Sequence, residues 1–214
     1  ISNELKKIKT TTQRTNSVQT IKIGDQEWMA EDLKITAYNN GDPIYEAKQE
    51  KQWKDCGDKK KGCFRKLSNG TFVYNGFALN DKRGILPSGF ILPKYEQFNQ
   101  LIKFLGGGNT REGKAVKSLA TYPIYLEKWN EKEKSLEGVE IKTNGKSGFK
   151  AKKGGHVYDH GALDNEGECS YWWTSTIEGE GTKAFDIGYC TNDIGGGCCS
   201  FSSSFGFAVR AIKK

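Results

Sequence analysis

The only histidines, His156 and His160, bracket Tyr158 and Asp159 in the run HVYDH. On a helix, two imidazoles four residues apart would share a face and could grip a metal. Gly154-Gly155 before the run and Gly161 after it argue for a loop instead, and no third ligand accompanies the pair. Downstream, Asp164-Asn-Glu-Gly-Glu168 offers oxygens that suit calcium but lacks the spacing of an EF-hand loop, so it reads as a solvated turn. Calcium is the one cofactor these residues could serve, and none is expected. Gly108 to Ala115, GNTREGKA, spells a phosphate-loop pattern with Ala where the magnesium-binding hydroxyl belongs, and it follows a helix where it should open one. Its glycines read as a helix stop and a turn.

The cysteines Cys56, Cys63, Cys169, Cys190, Cys198 and Cys199 are even in number and contain no CxxC pair, which argues against zinc-ribbon and thioredoxin chemistry. Such a set fits an oxidising compartment. Cys56 and Cys63 flank a Lys/Gly turn and read as a local bridge, worth about 2.5 kcal/mol on the loop-entropy argument. Cys169, Cys190, Cys198 and Cys199 would supply two more, in a pairing the sequence leaves open. The alternative is a set of buried free thiols in a cytosolic chain.

Aromatic residues carry the remaining chemistry. Trp129, Tyr158, Trp172 and Trp173, with His156, are the candidates for touching a ligand or partner, because flat, partly exposed rings serve both sugars and protein hot spots. Core placement is the competing reading for the two adjacent tryptophans. The element that must position them is Gly167–Thr176, GECSYWWTST, which reads as a central strand. Period-two geometry sends Tyr171 and Trp173 to one face and Trp172 and Thr174 to the other, so both faces need cover. Phe205–Ile212, where Phe207, Val209 and Ala211 alternate with Ala208, Arg210 and Ile212, is expected beside it in one antiparallel sheet.

Other elements follow from local pattern. Residues 1–18 are polar and aperiodic, as in a linker or N-terminal arm, and a single domain is expected over 19–214. Thr20–Ile23 and Glu27–Ala30 flank Gly24-Asp25 as a hairpin, with Trp28 in the core. Glu46–Lys66 is charged and reads as a surface excursion pinned by Trp53. Thr71–Tyr74 reads as a short strand, and Ile85–Pro93, with its prolines, as an extended edge. Tyr95, Phe98, Leu101, Ile102 and Leu105 mark one face of an amphipathic helix, which the glycines from Gly106 terminate. Residues 127–148, around Trp129, read as a long exposed insertion.

The net charge is +7, but the basic residues are almost all Lys, and Lys59–Lys61, Lys150–Lys153 and Lys213–Lys214 are scattered among turns. Nucleic-acid recognition, which leans on Arg forks and a concentrated basic face, is not expected. No apolar run is long enough to span a bilayer. A leader or lipid anchor would stand upstream of Ile1.

An ordered series of motifs carries a family resemblance. Ile21–Leu33 (IKIGDQEWMAEDL), Tyr38–Ile44 (YNNGDPI), Asp81–Gly84 with Pro87–Pro93, Leu105–Gly107, Tyr171–Thr176 and Gly206–Arg210 stand in the order found in the Fibrobacter succinogenes major paralogous domain, which the chain resembles from about Gln19 onward. The family pattern has Trp-His where Phe90-Ile91 stand, Ser where Lys94 opens the helix, and Cys where Ala211 stands, so cysteine pairing is not transferable. The resemblance implies an α+β, C-type lectin-like fold of short antiparallel strands, long loops and one or two helices, braced by disulfides. It also implies an extracytoplasmic protein of the Bacteroidota and Fibrobacter lineages, commonly a surface or outer-membrane lipoprotein.

The expected function is thus a non-catalytic binding or assembly module that docks to a partner protein complex. A glycan-binding adhesion module is the first alternative; Asn192-Asp193 lacks the preceding Trp that a calcium lectin would show. The second is a cysteine-dependent enzyme similar to formylglycine-generating proteins, with Cys190 and Cys198 ahead of Gly206–Arg210. A reactive thiol needs exposure and a lowered pKa, and no nearby histidine supports that.

Overall fold

The computed structural model describes residues 18–107, 114–187 and 200–214. In chain order, β1 (Thr20–Ile23) and β2 (Gln26–Met29) are followed by β3 (Tyr45–Glu46), α1 (Glu50–Asp58), β4 (Cys63–Lys66), β5 (Phe72–Asn75), α2 (Gly76–Leu79) and β6 (Phe90–Ile91). Next come α3 (Tyr95–Phe104), α4 (Lys114–Leu119), β7 (Ile124–Asn130), β8 (Ser135–Ile141), β9 (His156–Val157) and β10 (Leu163–Asp164). Last are β11 (Ser170–Glu178), β12 (Gly181–Ile187), β13 (Ser200–Phe201), β14 (Gly206–Phe207) and β15 (Ile212–Lys213). The class is α+β, with short strands dominant; among the described residues the sheets are ordered β1-β2-β15-β6, β10-β9-β14-β5-β4-β3, β11-β12-β13 and β7-β8.

Strand β11 divides the core as its period-two pattern requires. Trp172 packs with Trp28, Phe98, Phe149 and Phe185 on one side, and Trp173 with Tyr74, Phe207 and Val209 on the other. Each indole N–H has an acceptor: Trp172 donates to Asp32 Oδ1 at 2.8 Å, and Trp173 to the Tyr74 carbonyl at 2.7 Å. Arg210, equally buried, donates to Asp32 Oδ1 at 2.7 Å and to the Phe149 carbonyl at 2.6 Å, with its guanidinium 4.3 Å over the Phe149 ring. Charge, hydrogen bonds and ring stacking thus close around one point where the first hairpin, β11 and the C-terminal segment meet.

The strand pairing differs from the sequence expectation. The ladder partner of β11 is β12, its hairpin neighbour, with Trp172 opposite Phe185 and Trp173 opposite Ala184. The C-terminal segment packs side chains against β11 but pairs with its backbone through a parallel Trp172–Ala208 bridge, in which Trp173 N–H donates to the Ala208 carbonyl and Ala208 N–H to that of Tyr171. A hairpin closes a short loop at little entropic cost, so β12 takes the ladder. The C-terminal residues then spend their backbone groups elsewhere: β14 pairs with β5 and β9, and β15 with β2 and β6.

Four helices form among the described residues, where one or two are expected. The excursion over Glu46–Lys66 holds α1, whose Trp53 and Cys56 face a core with Leu67, Val73 and Val157 while Lys51–Asp55 and Lys54–Asp58 pair on the outside. Cys56 and Cys63 are both buried free thiols, hydrogen-bonded to each other and not bridged, and Cys169 is also buried. Burial raises the pKa of Cys56 and of Cys63 above the ordinary thiol value, which leaves both unreactive. Cys190, Cys198 and Cys199, like Asn192-Asp193, lie outside the described residues. The insertion around Trp129 is a hairpin, β7–β8, paired from Ile124–Ile141 to Asn130–Ser135.

Helix α3 follows its pattern closely. Gly106, at φ +82°, and Gly107 donate to the carbonyls of Lys103 and Ile102, the paired bonds that stop a helix at glycine. At the start, where Lys94 replaces a capping Ser, the Thr176 hydroxyl of β11 accepts the Tyr95 N–H at 2.9 Å and Gln97 reaches back to the Lys94 N–H at 2.7 Å. A tertiary contact therefore supplies the missing cap.

Candidate functional site

The HVYDH run is not a loop throughout: His156 and Val157 form β9, antiparallel to β10 with His156 opposite Asp164. The intervening turn closes through Tyr158 N–H to the Ala162 carbonyl and Gly161 N–H to the Tyr158 carbonyl, both 2.9 Å. Gly161 sits at φ +97°, and a Cβ there would run into the Glu50 backbone of α1, so only glycine fits. Alternation then stacks three rings along one side. His156 meets Tyr158 edge-on at 4.7 Å, and Tyr158 stacks on His160 at 5.3 Å.

The inner end of this ladder enters the core. Tyr171 lies 4.7 Å from His156 edge-on, and Phe207 lies 5.8 Å away. Tyr158 donates to Asp164 Oδ2 at 3.0 Å, and the Asn165 amide bridges that oxygen and the Tyr171 hydroxyl. Burial holds the His156 pKa below its ordinary value, with Asp164 opposing the shift, and its Nδ1 has no hydrogen-bond partner among the described residues. His160 is exposed beside Asp159. The two histidines do not converge, and no group of three or more His, Cys, Asp or Glu side chains able to hold a metal occurs among the described residues. Of the oxygens considered for calcium, Asp164 is engaged by Tyr158 and Asn165, and Glu166 holds the β4–β5 turn.

Beyond Asp164 the chain turns over into an open groove of about 510 Å³. One wall is the β4–β5 turn, Ser68 and Asn69, where Asn69 Oδ1 accepts the Thr71 N–H and its amide donates to the Lys153 carbonyl at 2.6 Å. Glu166 Oε1 accepts both the amide and the hydroxyl of Ser68, tying this turn to the loop after β10. The other wall is Thr121 and Tyr122 at the base of the β7–β8 hairpin, with Lys152 and Lys153 between. The Tyr122 hydroxyl bonds Ser170 Oγ, which donates in turn to the Lys152 carbonyl, and the Lys153 ammonium lies 5.1 Å over the Tyr122 ring. Burial pushes the Tyr122 phenol well above its ordinary range, so it stays neutral.

The walls present hydroxyls, an amide, a carboxylate and two ammonium groups along a shallow trough. Both serines are already bonded, Ser68 to a carboxylate that also holds its backbone and Ser170 between two oxygens, so neither is poised as a nucleophile. What the trough can do is bind polar groups at several points.

The sequence-predicted residues scatter. His156 and Tyr158 come together behind the groove, joined by Tyr171, Phe205 and Phe207. Trp172 and Trp173, each 1% exposed, are core and not contact residues, because both faces of β11 are covered. Trp129 belongs to β7, which pairs with β8 in a two-stranded sheet among the described residues. Of the groove residues, Glu166 falls in the Asp164–Glu168 run read as a solvated turn and Lys152-Lys153 in a lysine stretch read as scattered surface, while Ser68, Asn69 and Tyr122 belong to no chemical motif.

The sequence matches the family model described as Fibrobacter succinogenes major domain over residues 21–213. No curated protein and no solved structure matches the chain.

Proposed function

Starting from the fact that the chain belongs to the Fibrobacter succinogenes major domain family, we propose that it is a non-catalytic binding module of an extracytoplasmic, surface or outer-membrane protein that docks a partner protein. The observation that carries this reading is the polar groove between the β4–β5 turn, the Lys152-Lys153 segment and the Glu166 loop. Its hydrogen-bonding groups are fixed to three separate parts of the chain, an arrangement suited to recognition. The described cysteines support the absence of thiol chemistry in this reading, being buried with raised pKa where the shift is resolved. No described helix is long and apolar enough to cross a membrane.

A glycan ligand is the second reading, favoured by the hydroxyl, amide and carboxylate lining. Against it, the Tyr122 ring is largely packed into the core cluster and capped by Lys153, so it offers little open face for a sugar ring. Pull-down from native membranes, run beside a glycan array and repeated with Lys153→Glu, separates the two. Capture of one defined protein, lost with Lys153→Glu while the array stays blank, supports docking. A strong array signal with an empty pull-down replaces it with the lectin reading.

A further inference from the structure

Beside the groove, and sharing Lys152 with it, lies a second and tighter cavity of about 40 Å³. Part of its lining is already balanced: Arg210 is paired with Asp32, and Lys34 with Glu31 at 2.7 Å. Lys150 and Lys152 line it as well, projecting outward on either side of the buried Ala151, and neither has a carboxylate partner among the described residues. Thr71 completes the lining. Its side chain is buried, at 2% exposure, and its hydroxyl has no hydrogen-bond partner among the described residues.

A buried hydroxyl without an acceptor is destabilising, and two nearby unpaired ammonium groups repel each other; Glu31 and Asp32 are engaged by Lys34 and Arg210, so no carboxylate of the lining is left to pair with them. The space is narrow, and its ammonium and hydroxyl lining suits the planar end of a carboxylate. We propose that this cavity binds a carboxylate group, presented by an acidic side chain of the protein partner that occupies the neighbouring groove. The presentation clause rests on the docking reading above; the carboxylate site itself does not.

Thermal unfolding of the full chain in low-salt buffer tests both, with sodium acetate, sodium chloride at matched ionic strength, and acetylated hexaglutamate as probes. Acetate and hexaglutamate are expected to raise Tm saturably, the peptide at lower concentration, and chloride is not. Thr71→Val should keep or raise Tm in the absence of added anion, because it removes an unpaired hydroxyl, while weakening acetate about tenfold. Lys150→Gln with Lys152→Gln should weaken it at least as much. Equal responses to acetate and chloride, or an undiminished acetate response in Thr71→Val, overturn the site. An acetate response with no gain for hexaglutamate overturns only its presentation by an acidic segment. The Lys153→Glu pull-down reads the groove independently, since Lys153 does not line this cavity.

Discussion

Trp172 and Trp173 on β11 and His156 on β9 are all buried, yet their polar atoms meet different fates. Each indole N–H reaches an oxygen within 2.8 Å, and the Arg210 guanidinium in the same region reaches a carboxylate and a carbonyl. On the side built by β9 and the β4–β5 turn, His156 Nδ1 and the Thr71 hydroxyl have no partners among the described residues. Unpaired buried polar atoms are scarce in folded proteins; a third, the Tyr38 hydroxyl, lies in the Trp173 core cluster, so the contrast is between these individual groups and not between whole sides of the core. Deleting one of the paired groups should therefore destabilise, whereas deleting one of the unpaired groups should not.

The largest effect is expected from Arg210→Met, which leaves Asp32 buried and unpaired at a loss of about 3–5 kcal/mol in urea unfolding. Adding Asp32→Leu should recover only part of it, since an apolar pair can replace a buried ion pair but leaves the Trp172 indole N–H without its acceptor. Gly161→Ala should lose about 2–3 kcal/mol, because a methyl at φ +97° strains the backbone and strikes α1. It should also disturb the imidazole resonances of His156 and His160 in NMR spectra. Trp173→Phe, which removes the bond to the Tyr74 carbonyl and leaves a cavity in the core, should lose about 1–3 kcal/mol.

The smallest change has the opposite sign. His156→Phe replaces an unpaired imidazole within an aromatic nest and should gain about 1 kcal/mol near neutral pH. Burial lowers the folded pKa of His156 below its ordinary 6.5. The unfolded chain therefore takes up a proton first on acidification, and wild-type stability should fall as pH drops from 6.5 toward the folded value. The contributions of Glu31 and Asp42, whose pKa values are held low by Lys34 and by Asn40 and Arg83 respectively, persist until the more acid range where carboxylates titrate. Urea midpoints at pH 7.5 and 5.5 should differ less in His156→Phe than in the wild type; an equal drop in both would remove His156 as the source.

Elements set by local pattern were legible in the sequence. The β1–β2 hairpin, α3 with its glycine stop, and the two-sided burial of Trp172 and Trp173 all follow from spacing that survives folding. Helix α1 was hidden because its charged residues outweigh the two apolar positions, Trp53 and Cys56, that define its buried face. The partner of β11 was misjudged because alternation identifies a strand's faces but not its neighbour. The groove was illegible for a deeper reason: it joins Ser68, Tyr122, Lys152 and Glu166, which share no motif and meet only through tertiary bonds such as Asn69 to Lys153 and Glu166 to Ser68. The Thr176 cap on α3 is of the same kind, since nothing near Lys94 announces it.

The first hairpin pairs with one of the last strands: Lys213 reaches Glu27 across 186 residues, and Ile212 lies opposite Trp28. During translation, at about 5–20 residues per second, β2 therefore waits on the order of ten seconds or more with one edge bare before its neighbour leaves the ribosome. Arg210 arrives equally late to neutralise Asp32. The first hairpin therefore gains its sheet neighbour and its buried counter-charge only after Arg210 and Ile212 have been made, so a nascent chain halted short of Arg210 is expected to be more open to protease at β2 than one that includes Ile212.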